Sequence, residues 1–278
     1  MIIVTDNFSG YTFLITGASR GIGKAIAVRL GEEGANVAVC ARSMDENPKL
    51  PGTLPETVEA VEAAGGNALA IQLDVRDDEQ VNVAIEKCVS HFGGLDGVIC
   101  NAGALYIAPF SFTPMKRFDL VHQVNVRATY ATIQAALPHL HKSDRGRVLV
   151  ICPPVSMNPK WLAGTTAYTI SKYGMSVLVG GLAAELVGDE IGVNGLWPAT
   201  TIDTAAVRYN EALGGEEMAN RSRKPSIVAD AAIHILSQTS DCTGRFFIDE
   251  EALAEAGITD LEQYSVTPGG PLQPDFYV

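Results

Sequence analysis

Short apolar runs alternating with helical stretches predict an α/β fold: a doubly wound parallel sheet of about seven strands in one domain, residues 1–278. Three observations carry this expectation. Several apolar runs are continuous rather than alternating, as in strands covered on both faces. Helical stretches long enough to cross back over a sheet separate them. The first run also leads straight into a glycine turn and then a helical pattern, which is the context a dinucleotide site requires.

In chain order, the strands fall on TFLIT at 12–16, NVAVC at 36–40, ALAIQL at 68–73, DGVIC at 96–100, RVLVIC at 147–152, GVNGLW at 192–197 and RFFI at 245–248. Helical patterns occupy 20–33, 53–64, 77–91, 115–140, 164–186 and 227–236. This is the Rossmann-type order, in which ligands sit at the carboxyl ends of the strands. Two segments break the rhythm. Residues 43–51 are irregular, with Pro48 and Pro51. Residues 199–225 make a long excursion at the ligand edge, which reads as a lid or as a surface loop.

The glycine turn is Thr16-Gly17-Ala18-Ser19-Arg20-Gly21-Ile22-Gly23. Gly17 allows the tight turn, and Gly21 and Gly23 leave no side chain between the backbone and a pyrophosphate. Arg42 follows the second strand. An acidic residue there would suit the ribose hydroxyls of NAD, whereas an arginine suits a 2′-phosphate or is a solvated charge. With Arg20, it points to NADP(H) as the preferred cofactor, NAD(H) being the alternative. Asp74 and Val75 follow the third strand; the carboxylate can accept from an adenine amino group or cap the next helix. Asn101, Ala102 and Gly103 follow the fourth strand and either admit the adenine ribose or form a plain turn. Tyr168 and Lys172 share one helix face, as a surface pair or as an acid/base in which the ammonium lowers the phenol pKa.

A formal net charge of −12 and 47% apolar residues suit a soluble enzyme and fit nucleic acid or an anionic membrane surface poorly. The five cysteines, Cys40, Cys88, Cys100, Cys152 and Cys242, are widely spaced and suggest no metal site. Cys40 and Cys100 end apolar runs and read as core residues in a reducing compartment. There is no signal-peptide pattern, no apolar stretch of about 18 residues and no Ser-Lys-Leu-type ending, so the expected location is cytoplasmic.

The motifs TGASRGIG at 16–23, LDVRD at 73–77, NAG at 101–103, Asn125 within VNVRATY, and YTISK at 168–172 occur in this order over nearly the full length. Together they make the chain similar to the short-chain dehydrogenase/reductase family. NPKLPGT at 47–53, ISKYGMS at 170–176, LWPAT at 196–200 and PLQPDF at 271–276 resemble one branch, whose members carry a C-terminal sterol-carrier domain beyond the point where this sequence ends.

The resemblance implies an oxidoreductase interconverting an alcohol and a carbonyl. Tyr168 would be the acid/base, Lys172 would hold the nicotinamide ribose and tune Tyr168, and Asn125 would fix a water in a proton relay. Gly17, Ser19, Arg20, Gly21, Ile22, Gly23, Arg42, Asp74, Val75, Asn101, Ala102, Gly103, Tyr168, Lys172, Pro198 and Thr201 would bind the cofactor. The family's hydroxyl donor after the fifth strand aligns with Pro153, which offers no donor, so Ser156 or Asn158 is its expected substitute. The family's Pro-Gly is Pro198-Ala199, and its Asp-Gly-Gly after the last strand is Asp249-Glu250-Glu251. The branch and the Ala-, Leu-, Met- and Tyr-rich excursion imply a lipophilic substrate. The missing serine keeps a second reading open, an NADP-binding regulatory or scaffold protein with little turnover. Small residues after Tyr168, namely Gly174, Gly180, Gly181, Ala183 and Ala184, suit close helix packing in a homodimer or homotetramer, or within one chain.

Overall fold

The strands β1 (Thr12–Thr16), β2 (Asn36–Ala41), β3 (Asn67–Gln72), β4 (Gly97–Cys100), β5 (Arg147–Ile151), β6 (Gly192–Trp197) and β7 (Phe246–Ile248) form one sheet in the order β3-β2-β1-β4-β5-β6-β7. Every neighbouring pair is parallel. The computed structural model describes residues 8–46, 50–209 and 213–278. Asn47, Pro48 and Lys49, part of the stretch that sequence comparison singles out, lie outside the described residues.

Successive strand residues face opposite sides, and both sides are buried. Phe13 and Ile15 enter one core with α1 (Gly21–Glu32), α2 (Leu54–Ala63), α10 (Ser226–Leu236) and α11 (Asp249–Glu255). Leu14 enters the other with α3 (Asp78–Phe92), α5 (Ala128–Leu140) and α7 (Thr166–Glu185). This two-sided burial explains why β1 is apolar throughout. After β3 the chain crosses to the other side of β1, so the strand order reverses between β1 and β4. A crevice at the carboxyl ends of these strands is the expected ligand site.

The stretch 115–140 is not one helix. It divides into α4 (Met115–His122), a π-helical turn over Gln123–Arg127, and α5. Asn125 lies in that turn, and its side chain is tied to groups far away in sequence. A π turn inserts an extra residue and re-aims the side chains around it. Short helices absent from the sequence expectation are α6 (Pro159–Leu162), α8 (Ala205–Arg208) and α9 (Gly215–Asn220). The helix α11 begins directly after β7, with Asp249, Glu250 and Glu251 in its first turn, where acidic groups meet the positive end of the helix dipole.

All five cysteines are free thiols, four of them buried. Burial pushes the Cys100 and Cys152 thiols up to about 12, so both remain neutral. Among the described residues, no helix is long and apolar enough to cross a membrane.

Candidate active site

The turn between β1 and α1 depends on its glycines for geometry as well as for access. Gly17 and Gly21 have φ of +69° and +56°, which side chains rarely adopt. A methyl group on Gly23 would lie 2.5 Å from Gly17 O and from Asn101 Nδ2. Gly23 is therefore required by packing inside the protein, not only by the approach of a ligand. Asn101 completes the turn: its amide donates to Thr16 O and Gly17 O, both at 3.0 Å. The Thr16 hydroxyl in turn accepts from the backbone N–H of Asn101 and of Ala102. The start of α1 has no side-chain cap and no acidic residue in its first turn. Its free N–H groups and dipole suit a phosphate.

Beside this turn, Arg20 donates to Ser43 Oγ at 2.9 Å and Gly52 O at 2.7 Å, while its Nε is buried without a partner among the described residues. Burial, and next the Arg42 charge, lower the pKa of Arg20, with Glu56 opposing. Two guanidinium groups near each other and a half-satisfied buried donor fit an added anion. Ser19 and Val75 are buried nearby in the chain. Asp74 pairs with Arg76, whose hydrogen bonds hold the carboxyl below its usual range. The cap of α3 is Asp77, not Asp74.

Tyr168 and Lys172 lie one turn apart on α7, both buried. Lys172 Nζ donates to Ile151 O at 2.9 Å and sits 5.1 Å from the centre of the Trp197 ring. Burial lowers the Lys172 pKa to about 8. The expected lowering of the phenol does not occur here. Burial raises the Tyr168 pKa, and the charges of Tyr277 and Asp275 push the same way. Desolvation of the phenolate outweighs attraction to an ammonium that is itself directed at Ile151 O.

Asn125 is fully buried and fully engaged. Its Oδ1 accepts from Ala104 N at 2.7 Å, and its Nδ2 donates to Ala104 O at 3.0 Å and Ser171 Oγ at 2.9 Å. Both amide protons are committed, so the side chain is a strut between the β4 loop and α7. Its main-chain oxygen accepts from Thr129 Oγ1. A relay water has no free donor on this side chain.

One cavity of about 710 Å³ brings Ile22, Asn101, Gly103, Tyr168, Lys172, Pro198 and Thr201 together. Apolar side chains of Leu105, Ile107, Trp161, Val207, Leu213 and Met218 line much of the rest. Arg20 and Gly21 open instead onto a neighbouring cleft that shares Thr204 with this cavity. Ser156 is not brought to the cavity. Its Oγ accepts from Asn158 N, its carbonyl accepts from Tyr173, and Asn158 is spent on capping α6. Pro153 is buried, with its carbonyl taken by Ser176. Ser156 and Asn158, the expected substitutes for the family donor, thus lie outside the lining of this cavity.

Sequence reasoning missed one wall. Gln273, Pro274, Asp275 and Phe276 cross the cavity beside Tyr168 and Lys172. Thr201 N donates to Gln273 O, Asp275 N to Ala199 O, and Trp197 Nε1 to Phe276 O. The excursion 199–225 is therefore pinned to the C-terminal segment, and Thr200 pairs with Pro274 in an antiparallel bridge. The only signal for this wall was PLQPDF, which carries no recognisable chemistry by itself.

A family model described as short chain dehydrogenase matches residues 11–212. A hydroxysteroid dehydrogenase-like protein 2 from Danio rerio is 48% identical across this whole chain, which spans 66% of that relative's length. The crystal structure of a short chain dehydrogenase from Mycobacterium thermoresistibile is 44% identical with a TM-score of 0.91, covering 98% of this chain and 96% of that one. A short chain dehydrogenase from Mycobacterium paratuberculosis bound to NAD is 25% identical with a TM-score of 0.74, covering 89% of this chain and 99% of that one. The chain belongs to the short-chain dehydrogenase family of oxidoreductases.

Proposed function

We propose that this chain interconverts an alcohol and a carbonyl with NADP(H), on a lipophilic substrate, with Tyr168 as acid/base. The observation that carries the reading is the buried Tyr168–Lys172 pair in the wall of a largely apolar cavity next to an uncapped helix N-terminus. The N–H groups of the glycine turn would hold the pyrophosphate. Arg20, Arg42 and Ser43 would hold a 2′-phosphate, and Ile22, Pro198 and Thr201 would border the nicotinamide. A nicotinamide cofactor, when bound, supplies or accepts the hydride.

Tyr168 gives its phenolic proton to the carbonyl oxygen in reduction and takes a proton from the hydroxyl in oxidation. Burial raises its pKa, so it carries the proton at neutral pH. Lys172 keeps a positive charge below its pKa of about 8 and steadies developing negative charge. Asn125 positions the loop of Gly103 against α7. The apolar walls, and the hydroxysteroid named in the Danio rerio relative's description, support a lipophilic substrate.

The test is NADPH oxidation across aldehydes and ketones of graded chain length. Catalytic efficiency should rise with apolar length until the cavity is filled. A flat profile contradicts the lipophilic pocket. Pro153 and the diverted Ser156 favour a second reading, a nucleotide-binding protein with little turnover. Tight NADPH binding without turnover in either direction selects it.

A further inference from the structure

The hydroxyl that other family members place after the fifth strand has no counterpart on β5 or its loop, yet the cavity holds an unused polar group opposite. Asp275 lines the cavity together with Tyr168 and Lys172. Its place is fixed from both sides. Its N–H donates to Ala199 O, and the following Phe276 carbonyl accepts from the Trp197 indole at 2.7 Å. Tyr277 then anchors the segment among Trp161, Tyr173 and Trp197, with its hydroxyl 3.0 Å from Thr169 Oγ1. Asp275 Oδ1 accepts from Phe276 N at 2.6 Å. Its Oδ2 and the Tyr168 hydroxyl have no hydrogen bond to another described residue. Among the other polar side chains of the cavity, Lys172 donates to Ile151 O, Thr201 pairs with Ser222, Asn101 holds the glycine turn and Gln273 donates to Pro274 O, while Thr204 sits on the border with the neighbouring cleft.

We propose that Asp275 is the second polar group that engages the substrate oxygen beside Tyr168, supplying the hydrogen bond that Pro153 cannot. This rests on the reading of the chain as a carbonyl/alcohol oxidoreductase. In reduction, a hydride that a nicotinamide cofactor would supply forms the new C–H bond, the C=O π pair becomes a lone pair on oxygen, and that lone pair takes the Tyr168 proton, leaving the phenolate to be reprotonated from solvent. Asp275, in its acid form, keeps its own proton and donates only a hydrogen bond. A carboxylic acid held neutral in an apolar site is a known way to build such a donor.

The surroundings supply that neutrality. Asp275 is faced by Tyr168 and Lys172 from α7, by Asp249 from the start of α11, and by Tyr277 on its own segment. Asp249 in turn faces Glu250 and Arg223, which are ion-paired to each other. Burial pushes the Asp275 carboxyl up to about 7, with Asp249 adding to the rise and Phe276 N–H and Lys172 opposing it. The donor is therefore present below about pH 7 and lost above it. An ionised Asp275 would repel the developing oxyanion, so a substrate carrying a carboxylate next to its carbonyl is disfavoured.

The test uses the full chain with NADPH and decanal, comparing wild type with Asp275→Asn, Asp275→Leu and Tyr168→Phe. Removing an oxyanion-type donor costs about 10²–10³-fold in rate, so Asp275→Leu should lower kcat at pH 6 by about a hundredfold. NADPH affinity should stay within twofold. Asp275→Asn keeps a donor but cannot ionise, so the fall in kcat between pH 6 and pH 8, about tenfold in wild type, should shrink below threefold. Independently of turnover, carbon-13 spectra of the aspartate carboxyls should show a group titrating near 7 that is missing in Asp275→Asn. Asp275→Leu at wild-type kcat overturns the proposal, as does an unaltered pH ratio in Asp275→Asn. Equal loss of NADPH affinity or melting temperature in both variants assigns Asp275 to holding the fold and overturns it too. An active Tyr168→Phe, or no wild-type turnover, instead fails the functional reading on which it rests.

Discussion

Arg20 and Arg42 carry the proposed preference for NADP(H). The chain carries a net charge of −12, so an anionic nucleotide must find its positive charge locally. Arg20 is bonded to Ser43 just after β2, Arg42 is near enough for its charge to lower the Arg20 pKa although it lines a separate cleft with Asp74, and the Arg20 Nε, without a partner among the described residues, is costly unless an acceptor arrives. A charge-assisted bond to a 2′-phosphate is worth about 1.5–3 kcal/mol, or roughly 10–100-fold in affinity. Arg42→Asp should therefore lower the NADPH/NADH affinity ratio by at least about tenfold in a fluorescence titration. A ratio equal to that of wild type contradicts the NADP assignment. The glycine turn and the Tyr168–Lys172 pair are legible in sequence because they are local patterns. The direction of the Tyr168 pKa is not, because it depends on burial in the folded chain and then on the charges of Tyr277 and Asp275, which are distant in sequence.

The helix α7 carries both the Tyr168–Lys172 pair and a second, outward stripe. Its small residues do not share one role. A methyl group on Gly174 would meet Val126 at 2.8 Å, so Gly174 serves packing within the chain. A methyl group on Gly180 or Gly181 would meet nothing within 4 Å, and Ile170 and Val177 on the same helix are exposed. An exposed apolar stripe with small residues admits close approach of another helix. Light scattering at micromolar concentration should give a dimer or larger assembly, and Val177→Asp with Gly181→Glu should shift it to the monomer mass. A wild-type monomer contradicts this. Sequence periodicity finds α7 whole but joins α4 to α5. The break at Asn125 is set by Ala104 and Ser171, contacts that no local window contains. The helices α6, α8 and α9, of four to six residues, are too short for periodicity to register.

The whole molecule joins its last strand, its excursion 199–225 and its C-terminal segment through two carboxyls, the buried Asp249 and the half-buried Asp275. Asp249 Oδ1 accepts from Ala199 N and Glu250 N, both at 2.8 Å, and Asp275 N donates to Ala199 O, so the turn after β6 is clamped from both sides. Burial raises Asp249 to about 6 and Asp275 to about 7. Unfolded aspartates titrate near about 3.9. Between these values the folded state holds more protons than the unfolded one, so stability from these groups is complete below about pH 4 and is lost as pH rises through about 6–7. Melting temperature measured from pH 5 to pH 8 should therefore fall more in wild type than in the Asp249→Asn, Asp275→Asn double variant. Parallel curves contradict this linkage. The sheet itself is legible in sequence because both its faces are covered and its strands are plain apolar runs. The cavity's fourth wall is not, since Gln273–Phe276 reach it only by tertiary folding.

The proposed function rests at this scale on one group, Tyr168, giving a proton inside a largely apolar cavity. The most direct test is NADPH oxidation with a long-chain aldehyde by wild type and Tyr168→Phe, with NADPH binding measured on the same preparations. Loss of a general acid is worth about 10²–10⁴-fold, so the account predicts a fall of that size with nucleotide affinity within about twofold. Turnover by Tyr168→Phe at the wild-type rate would contradict it.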